Sequence, residues 1–281
     1  MSNKKCRFTK MHGAGNDYIY VYTPDNPIPD PSHASIAWSR QHFGIGSDGL
    51  ILIGNSPVPE ADFSMRMFNN DGTEGMMCGN GVRCVGKYVF DHGLTTNTRV
   101  AIDTLSGIKT IDLHVGEDGK VHSATVDMGT PLLKNKAQMD SDDGGMVEGS
   151  VLGWNGTFVS MGNPHFVIFV PDVMEIDIER EGRRLEHAPI FPERCNIEFA
   201  TIRPDGSIRM RVWERGSGIT LACGTGACAT AVAANVCRLR GRCSEVEMDG
   251  GILKIEWNEL NGHVYMTGPA TTVFEGEIEL P

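Results

Sequence analysis

The amino-acid sequence predicts an α/β protein of two homologous halves, each with a helix wrapped by sheet. Three observations predict this. Short β-like runs recur along the chain with Gly, Asn and Asp between them, the punctuation of hairpins. A segment also repeats: MRMFNNDGTEGMMCGNG (65–81) aligns with MRVWERGSGITLACGTG (210–226) without a gap at an offset of 145, setting Arg66 on Arg211, Phe68 on Trp213 and Cys78 on Cys223. Third, the helix that opens at Cys223 is Ala, Val and Cys on nearly every side through residue 237. A helix apolar all round is buried all round, which in a strand-rich chain means enclosure by sheet. Chance similarity between Gly-rich turns is the competing reading of the repeat. Asn16, 62 residues before Cys78, and Asn163, 60 before Cys223, favour true duplication. A pseudo-two-fold axis would bring both Cys-headed helices to one shared cleft.

The elements follow in order. Strands are expected at 17–22, 48–53, 63–68, 99–103, 107–113, 121–128, 156–161, 165–170, 196–203, 207–213, 252–257 and 263–266. A helix is expected over 33–41 with Ser32 as N-cap after Pro31, and another near 172–184. Two more run from Cys78 to near Gly93 and from Cys223 to near Gly241, each with a glycine suited to the C′ position. Residues 138–150 are polar, acidic and Gly-rich, and read as a loop.

The 281 residues suit one large or two medium domains. With 36 acidic and 25 basic side chains the net charge is −11, so there is no basic field for nucleic acid or an anionic membrane. No apolar run reaches the roughly 18 residues that span a bilayer, and no apolar stretch follows the N-terminal lysines as a secretory signal requires. The eight cysteines are too sparse for a disulfide scaffold, and no CxxC pair suggests zinc. A cytoplasmic protein with reduced thiols and no metal is the expectation. Gly44-x-Gly46-x-x-Gly49 formally matches a dinucleotide fingerprint, but the strand and helix around it come in the wrong order, so nucleotide binding is rejected. No lysine sits in a setting for pyridoxal phosphate, and no cofactor is expected.

Cysteine at a helix N-terminus meets unpaired amides and the positive end of the dipole, which predicts a depressed thiol pKa at Cys78 and Cys223. The same amides suit a carboxylate. Two such thiols flanking one carbon suit stereoinversion without cofactor: a thiolate removes an α-proton and a thiol returns one to the opposite face. The enolate-like charge falls on the carboxylate that the amides hold. A cysteine is also a common small buried hydrophobe, the reading that suits Cys6, Cys84, Cys195, Cys228, Cys237 and Cys243.

The segments MHGAGND (11–17), FNNDG (68–72), MCGNG (77–81), MGNPH (161–165), FPERCNI (191–197), ERGSG (214–218), ACGTGA (222–227) and YMTGPA (265–270) resemble the motifs of the diaminopimelate epimerase family, in that family's order and along the whole chain. CGNG or CGTG alone would indicate only the wider superfamily that includes proline racemases. The resemblance implies an α+β fold of two pseudo-two-fold-related domains, each a barrel-like, mainly antiparallel sheet around a central helix. The domains would be 1–124 plus 269–281, carrying Cys78, and 125–268, carrying Cys223, with the active site between them. It implies interconversion of LL- and meso-diaminopimelate, in lysine and peptidoglycan-precursor biosynthesis. Cys78 and Cys223 would be the acid/base pair, with Cys223 the base toward the LL form. Gly79, Asn80, Gly224 and Thr225 would hold the reacting carboxylate. Asn16, Asn69, Asn163, Asn196, Glu214 and Arg215 would bind the rest, with His165 and Glu214 near the reacting centre. Tyr265 would help form a homodimer.

Physical sense stands beside the resemblance. Arg215 offers a fork for a distal carboxylate and Glu214 an acceptor for an ammonium, while asparagines supply donor and acceptor without charge. Asn in a Gly-rich stretch is also a common turn residue, and His165 reads equally as a buried, hydrogen-bonded strand residue. The family often carries glutamine where this chain has Gly49, so any contact from that side chain is lost. Two other readings compete: a proline or hydroxyproline racemase-type enzyme, and a non-catalytic amino-acid-binding or thiol redox-sensing protein. Arg215, Asn69, Asn163 and Asn196 form a polar set that a ring substrate does not need.

Overall fold

Residues 5–281 are described in the computed structural model, and their backbone runs through one series of elements twice. Residues 5–126 with Gly268–Pro281 form one compact unit and Asp127–Thr267 the other. The first comprises β1 (Lys5–Gly13), β2 (Asn16–Tyr22), α1 (Pro31–Ser39), β3 (Gly49–Asn55), β4 (Phe63–Asn69), β5 (Glu74–Gly75), α2 (Gly79–Asp91), β6 (Arg99–Asp103), β7 (Lys109–Val115) and β8 (Val121–Asp127). The second comprises β9 (Gly149–Val151), β10 (Trp154–Ser160), β11 (Pro164–Phe169), a 3-10 turn at Val173–Glu175, α3 (Ile178–Glu186), β12 (Asn196–Ile202), β13 (Ile208–Glu214), β14 (Gly218–Thr220), α4 (Gly224–Val236), β15 (Cys243–Met248), β16 (Gly251–Trp257) and β17 (Val264–Pro269). Finally β18 (Thr271–Glu279) pairs antiparallel with β1.

The two sheets repeat each other pair by pair. β1–β2 and β10–β11 are antiparallel, β2–β3 and β11–β12 parallel, β3–β4 and β12–β13 antiparallel. β4–β6 and β13–β15 are parallel, β6–β7 and β15–β16 antiparallel. Even β18 has a short stand-in, since β9 lies beside β10 as β18 lies beside β1. The sheets are mixed but mainly antiparallel. β4 with β13, and α2 with α4, start and stop at an offset of 145.

Each sheet is covered on both faces, which explains apolar runs without alternation such as YIYV and LILI. In the first half Ile19, Val21, Leu50 and Leu52 meet Ala34 and Trp38 of α1. The intervening residues of those strands point the other way, and Ile51 reaches Gly81 of α2. In the second half Phe166, Ile168, Ile197 and Phe199 join Ile178 and Leu185 of α3, while α4 touches β10 to β13, β15 and β16. Most of α2 and α4 is buried. The sheet-wrapped helix expected from the apolar circumference of α4 is therefore present in both halves.

Several boundaries differ from expectation. The first helix begins at Pro31, and its N-cap is Asp30, which accepts from His33 N, not Ser32. Pro31 fits the first helical turn, where no amide donor is needed, so the cap moves upstream. Ser32 instead donates to Gly72 O. The helix expected near 172–184 is two pieces, a 3-10 turn capped by Asp172 and α3 capped by Asp177. α2 ends with Gly93 at φ +70°, as expected of a C′ glycine, but α4 ends earlier than Gly241, with Arg238 at φ +59°. Strands β1, β5, β9, β14, β15 and β18 were not expected. Residues 44–48 lie between α1 and β3 and Gly49 opens β3, so no helix opens after that glycine series. Among the described residues no helix is long and apolar enough to cross a membrane, and no disulfide forms.

Candidate active site

Cys78 and Cys223 are the N-cap residues of α2 and α4. Each sulfur accepts the backbone N–H three residues on, Gly81 N at 3.2 Å and Gly226 N at 3.4 Å, so each thiol stands over its helix mouth beside the opening amides of 79–80 or 224–225. The sequence builds the two mouths alike because Cys-Gly-x-Gly gives a capping side chain followed by residues that leave the first turn open.

Around Cys78 two asparagines make the nearest bonds of the first half. The Cys78 thiol donates to Asn16 Oδ1 at 3.1 Å, and Asn80 Nδ2 reaches the same oxygen at 3.5 Å. Asn16, the first residue of β2, is oriented by Asp48, whose carboxylate accepts Asn16 Nδ2 at 2.7 Å and Asp17 N at 3.1 Å. Burial raises the Asp48 pKa. Asn80 is buried, and its Oδ1 accepts from Arg83 at 2.8 Å. Arg83 is fully buried and also reaches Gly79 O and Pro269 O. Asn69 ends β4 and donates to Thr73 Oγ1 at 2.9 Å, a turn bond. Tyr18, buried on β2, lies close enough to Asn16 and Cys78 for both to act on its phenol.

Around Cys223 the partners are ionisable. Asn163 Nδ2 donates to Thr225 Oγ1 at 3.3 Å, and its Oδ1 lies 3.1 Å from His165 Nε2. His165 Nδ1 lies 2.7 Å from Glu198 Oε1, with both side chains fully buried. Glu198 also presses on the first turn of α4, since a Cβ on Gly226 would come within 2.8 Å of its Oε1. Glu214 accepts from Thr220 Oγ1, and burial raises its pKa. Asn196 donates to Pro164 O at 2.9 Å and accepts Arg215 N at 2.9 Å. The Arg215 guanidinium reaches Glu193 O at 2.9 Å.

This setting corrects one expectation. Burial, followed by the Glu214 and Glu198 carboxylates, pushes the Cys223 thiol well above its ordinary value, while the bonds from Thr225 and Gly226 N oppose that rise and lose. The helix mouth alone does not depress this thiol, because desolvation and two nearby carboxylates outweigh one turn of dipole.

Within the first half the structure thus gathers Asn16, Cys78, Gly79 and Asn80, with Asn69 at the end of neighbouring β4. Within the second it gathers Asn163, His165, Glu214, Cys223, Gly224 and Thr225, and ties Asn196 to the backbone of Arg215. Tyr265 lies apart on β17, where its hydroxyl accepts from Asn261 at 2.8 Å. Sequence reasoning missed Tyr18, Asp48 and Glu198. A signal existed for Glu198: it is the lone acid in the buried run NIEFA, two residues from Asn196 and so on the same face. His165 pairs with Asn196 across β11 and β12, which sets Glu198 next to its ring.

The sequence matches known proteins over most of its length. The family model described as Diaminopimelate epimerase matches residues 8–134 and 157–273. A diaminopimelate epimerase of Phocaeicola vulgatus is 59% identical over 278 residues, covering 98% of each chain. One from Bacteroides thetaiotaomicron is 57% identical over 275 residues, again covering 98% of each. Among solved structures, a hydroxyproline epimerase from Agrobacterium vitis superposes with a TM-score of 0.71 at 15% identity, covering 99% of this chain and 92% of that one. That likeness is one of fold.

Proposed function

The chain belongs to the diaminopimelate epimerase family, and from that premise we propose that it interconverts LL- and meso-diaminopimelate by proton transfer between two thiols, Cys78 and Cys223, without a cofactor. The observation that carries the reading is the pair of equivalent helix caps: two cysteines, each over the opening amides of a buried helix, each with an asparagine from the preceding hairpin in its surroundings. One sulfur, as thiolate, takes the α-hydrogen as a proton. The C–H electron pair moves toward the α-carboxylate, held by the amides at 79–80 and 224–225. The other thiol then protonates the opposite face. Following the family, Cys223 is the base toward the LL form and Cys78 toward the meso form.

The distal head is assigned to Asn16, Asn69, Asn163, Asn196, Glu214 and Arg215. Arg215 is the fork for the distal carboxylate, and to serve it must exchange its contact with the Glu193 carbonyl for the substrate. His165 supports the reacting centre by fixing Asn163. The reaction belongs to lysine and peptidoglycan-precursor synthesis in the cytoplasm, where thiols stay reduced. We assign Tyr265 to a homodimer contact. Sedimentation should show Tyr265→Ala shifted toward monomer, and an unchanged dimer would remove the residue from that role.

The deciding experiment is α-proton exchange. Reduced protein incubated in deuterium oxide with LL-diaminopimelate, meso-diaminopimelate or proline should place deuterium at the α-carbon of the first two alone. Exchange on proline would mark a proline racemase-type enzyme. Exchange on none would mark an amino-acid-binding or redox-sensing protein.

A further inference from the structure

The duplication assigns a role to Tyr18. Asn16 and Asn163 are 147 residues apart, and at the same offset Tyr18 corresponds to His165, Gly49 to Asn196 and Ile51 to Glu198. The sheets confirm these equivalences, because Tyr18 pairs with Gly49 across β2 and β3 exactly as His165 pairs with Asn196 across β11 and β12. Ile51 and Glu198 likewise abut the same helix position, Gly81 in one half and Gly226 in the other. The second half therefore has an ionisable His–Glu pair where the first has a phenol and an alkyl chain.

The room for that phenol comes from Gly49. A Cβ there would come within 3.0 Å of the Tyr18 ring and 2.1 Å of Phe68 O. With no side chain at 49, the ring occupies the space beside that residue, and its phenol is acted on by Asn16 and Cys78.

Cys78 in its thiol form donates to Asn16 Oδ1, and Asp48 holds that amide by its nitrogen, so the oxygen stays turned toward the sulfur. Once Cys78 is a thiolate it has no proton for that oxygen and needs donors. Gly81 N is one. We propose that Tyr18 is a second, a positioning residue whose hydroxyl donates to the Cys78 thiolate and holds its sulfur over the α2 mouth. Burial, with Cys78 and Asp48 adding to it, keeps the phenol protonated and so able only to donate in this exchange. Tyr20 of β2, which donates to Gly81 O, and Cys84 of α2 also interact with Cys78 within this half. Both are held protonated by burial, and neither supplies charge.

The inference rests on the assignment of Cys78 as an acid/base group only for its catalytic consequence. The bond itself is tested on the thiol. The full chain, its Tyr18→Phe variant and a Tyr20→Phe control are alkylated with iodoacetamide across pH, and modification of Cys78 and Cys223 is followed by peptide mass spectrometry. Loss of a hydrogen bond to a charged group should move the Cys78 profile of Tyr18→Phe up by about one pH unit. The Cys223 profile and the Tyr20→Phe variant should stay in place. An unshifted Cys78 profile in folded Tyr18→Phe, or an equal shift in Tyr20→Phe, overturns the proposal. In turnover, the rising limb of kcat/KM against pH should move the same way in Tyr18→Phe. If diaminopimelate shows no α-exchange at all, the functional reading falls while the alkylation profiles still decide Tyr18. If exchange is normal and the profiles do not move, the reading stands and Tyr18 is packing.

Discussion

Cys78 and Cys223 sit on equivalent caps in equivalent sheets, yet each half surrounds its thiol with different side chains. The first half faces its thiol with Asn16, Tyr18 and Asn80 and places Asn69 at the strand end where the second has Glu214. The second half faces its thiol with Glu214 and Glu198, the latter tied to His165. Duplication preserved the backbone and the amides that a carboxylate needs, while side chains on the same strand positions diverged. A substrate carbon inverted between two thiols needs one base and one acid at any moment. Burial and the two carboxylates bias Cys223 strongly toward the protonated form.

The sharpest way to break the comparison is to disable each thiol. Cys78→Ser and Cys223→Ser should each slow net epimerisation in both directions by about 10²–10⁴-fold, the scale of a lost acid/base group. Proton exchange without inversion should then separate them. With Cys223 intact, Cys78→Ser should still exchange the LL form, and Cys223→Ser the meso form. Deuterium incorporation measured on each isomer checks this. If both variants exchange the same isomer, the thiols do not serve opposite faces, and the equivalence of the caps has no mechanistic meaning.

The helices behind the caps differ as much as the caps' surroundings. Arg83 and Lys87 of α2 correspond to Cys228 and Val232 of α4. All four positions are interior, but α2 carries two cations there. Arg83 bridges Asn80 Oδ1, Gly79 O and Pro269 O, so it ties the helix mouth to the chain just before β18. Lys87 bonds Asp91 at 2.6 Å and Val121 O at 2.5 Å. Arg83→Cys, which copies the second half, should cost about 3 kcal/mol, since it opens a cavity and leaves buried acceptors without their donor. A urea midpoint unchanged from the parent would show that the first half needs no polar core.

These contrasts also mark what the sequence could reveal. The two cysteines were legible because the repeat is gapless where strand, turn and helix mouth must keep fixed geometry. Asn163 and His165 were legible through their motif. Tyr18 was not, because its meaning depends on facing a residue without a side chain, and register across a parallel pair cannot be read along one strand. β1 was hidden by its charges. Lys5 and Arg7 point outward to Glu277 of β18, a partner at the other end of the chain, while Cys6 and Phe8 point inward. The thiol of Cys223 was misjudged because a helix mouth is visible in sequence and the burial that opposes it is not.

A smaller effect separates the halves in acid. On α3, Glu181 accepts Trp154 Nε1 at 2.9 Å, Arg184 at 2.6 Å and Arg180 at 2.9 Å, and these bonds hold it down to about 2. The equivalent position on α1 is the buried Ala34. An unfolded glutamate titrates near 4.3, so Glu181 adds stability in full above about pH 4.3 and loses it as pH falls toward 2. Glu181→Gln lacks that component. Its urea midpoint should therefore fall less than the parent's between pH 5 and pH 3, and parallel declines would show that α3 is not acid-labile through this clamp.

The smallest expected effect lies at the far ends of the two helices. Both close in the same way: Gly93 N bonds Phe90 O and Leu94 N bonds Val89 O, while Arg238 N bonds Asn235 O and Leu239 N bonds Ala234 O. The residue that must turn left-handed is Gly93 in one and Arg238 in the other, at φ +70° and +59°. A side chain there crowds its own carbonyl, a cost of roughly 1 kcal/mol that glycine avoids. Glycine also loses more freedom on folding, which offsets part of the gain. Arg238→Gly should thus stabilise the second half by about 0.5 kcal/mol, read as a small rise in the urea midpoint without a change in slope. The reverse change, Gly93→Arg, should lower it by a similar amount, because a Cβ at Gly93 meets nothing within 4 Å and only the backbone cost remains. If the two substitutions shift the midpoint in the same direction, the ends are not interchangeable, and the duplication stops short of the helix C-termini.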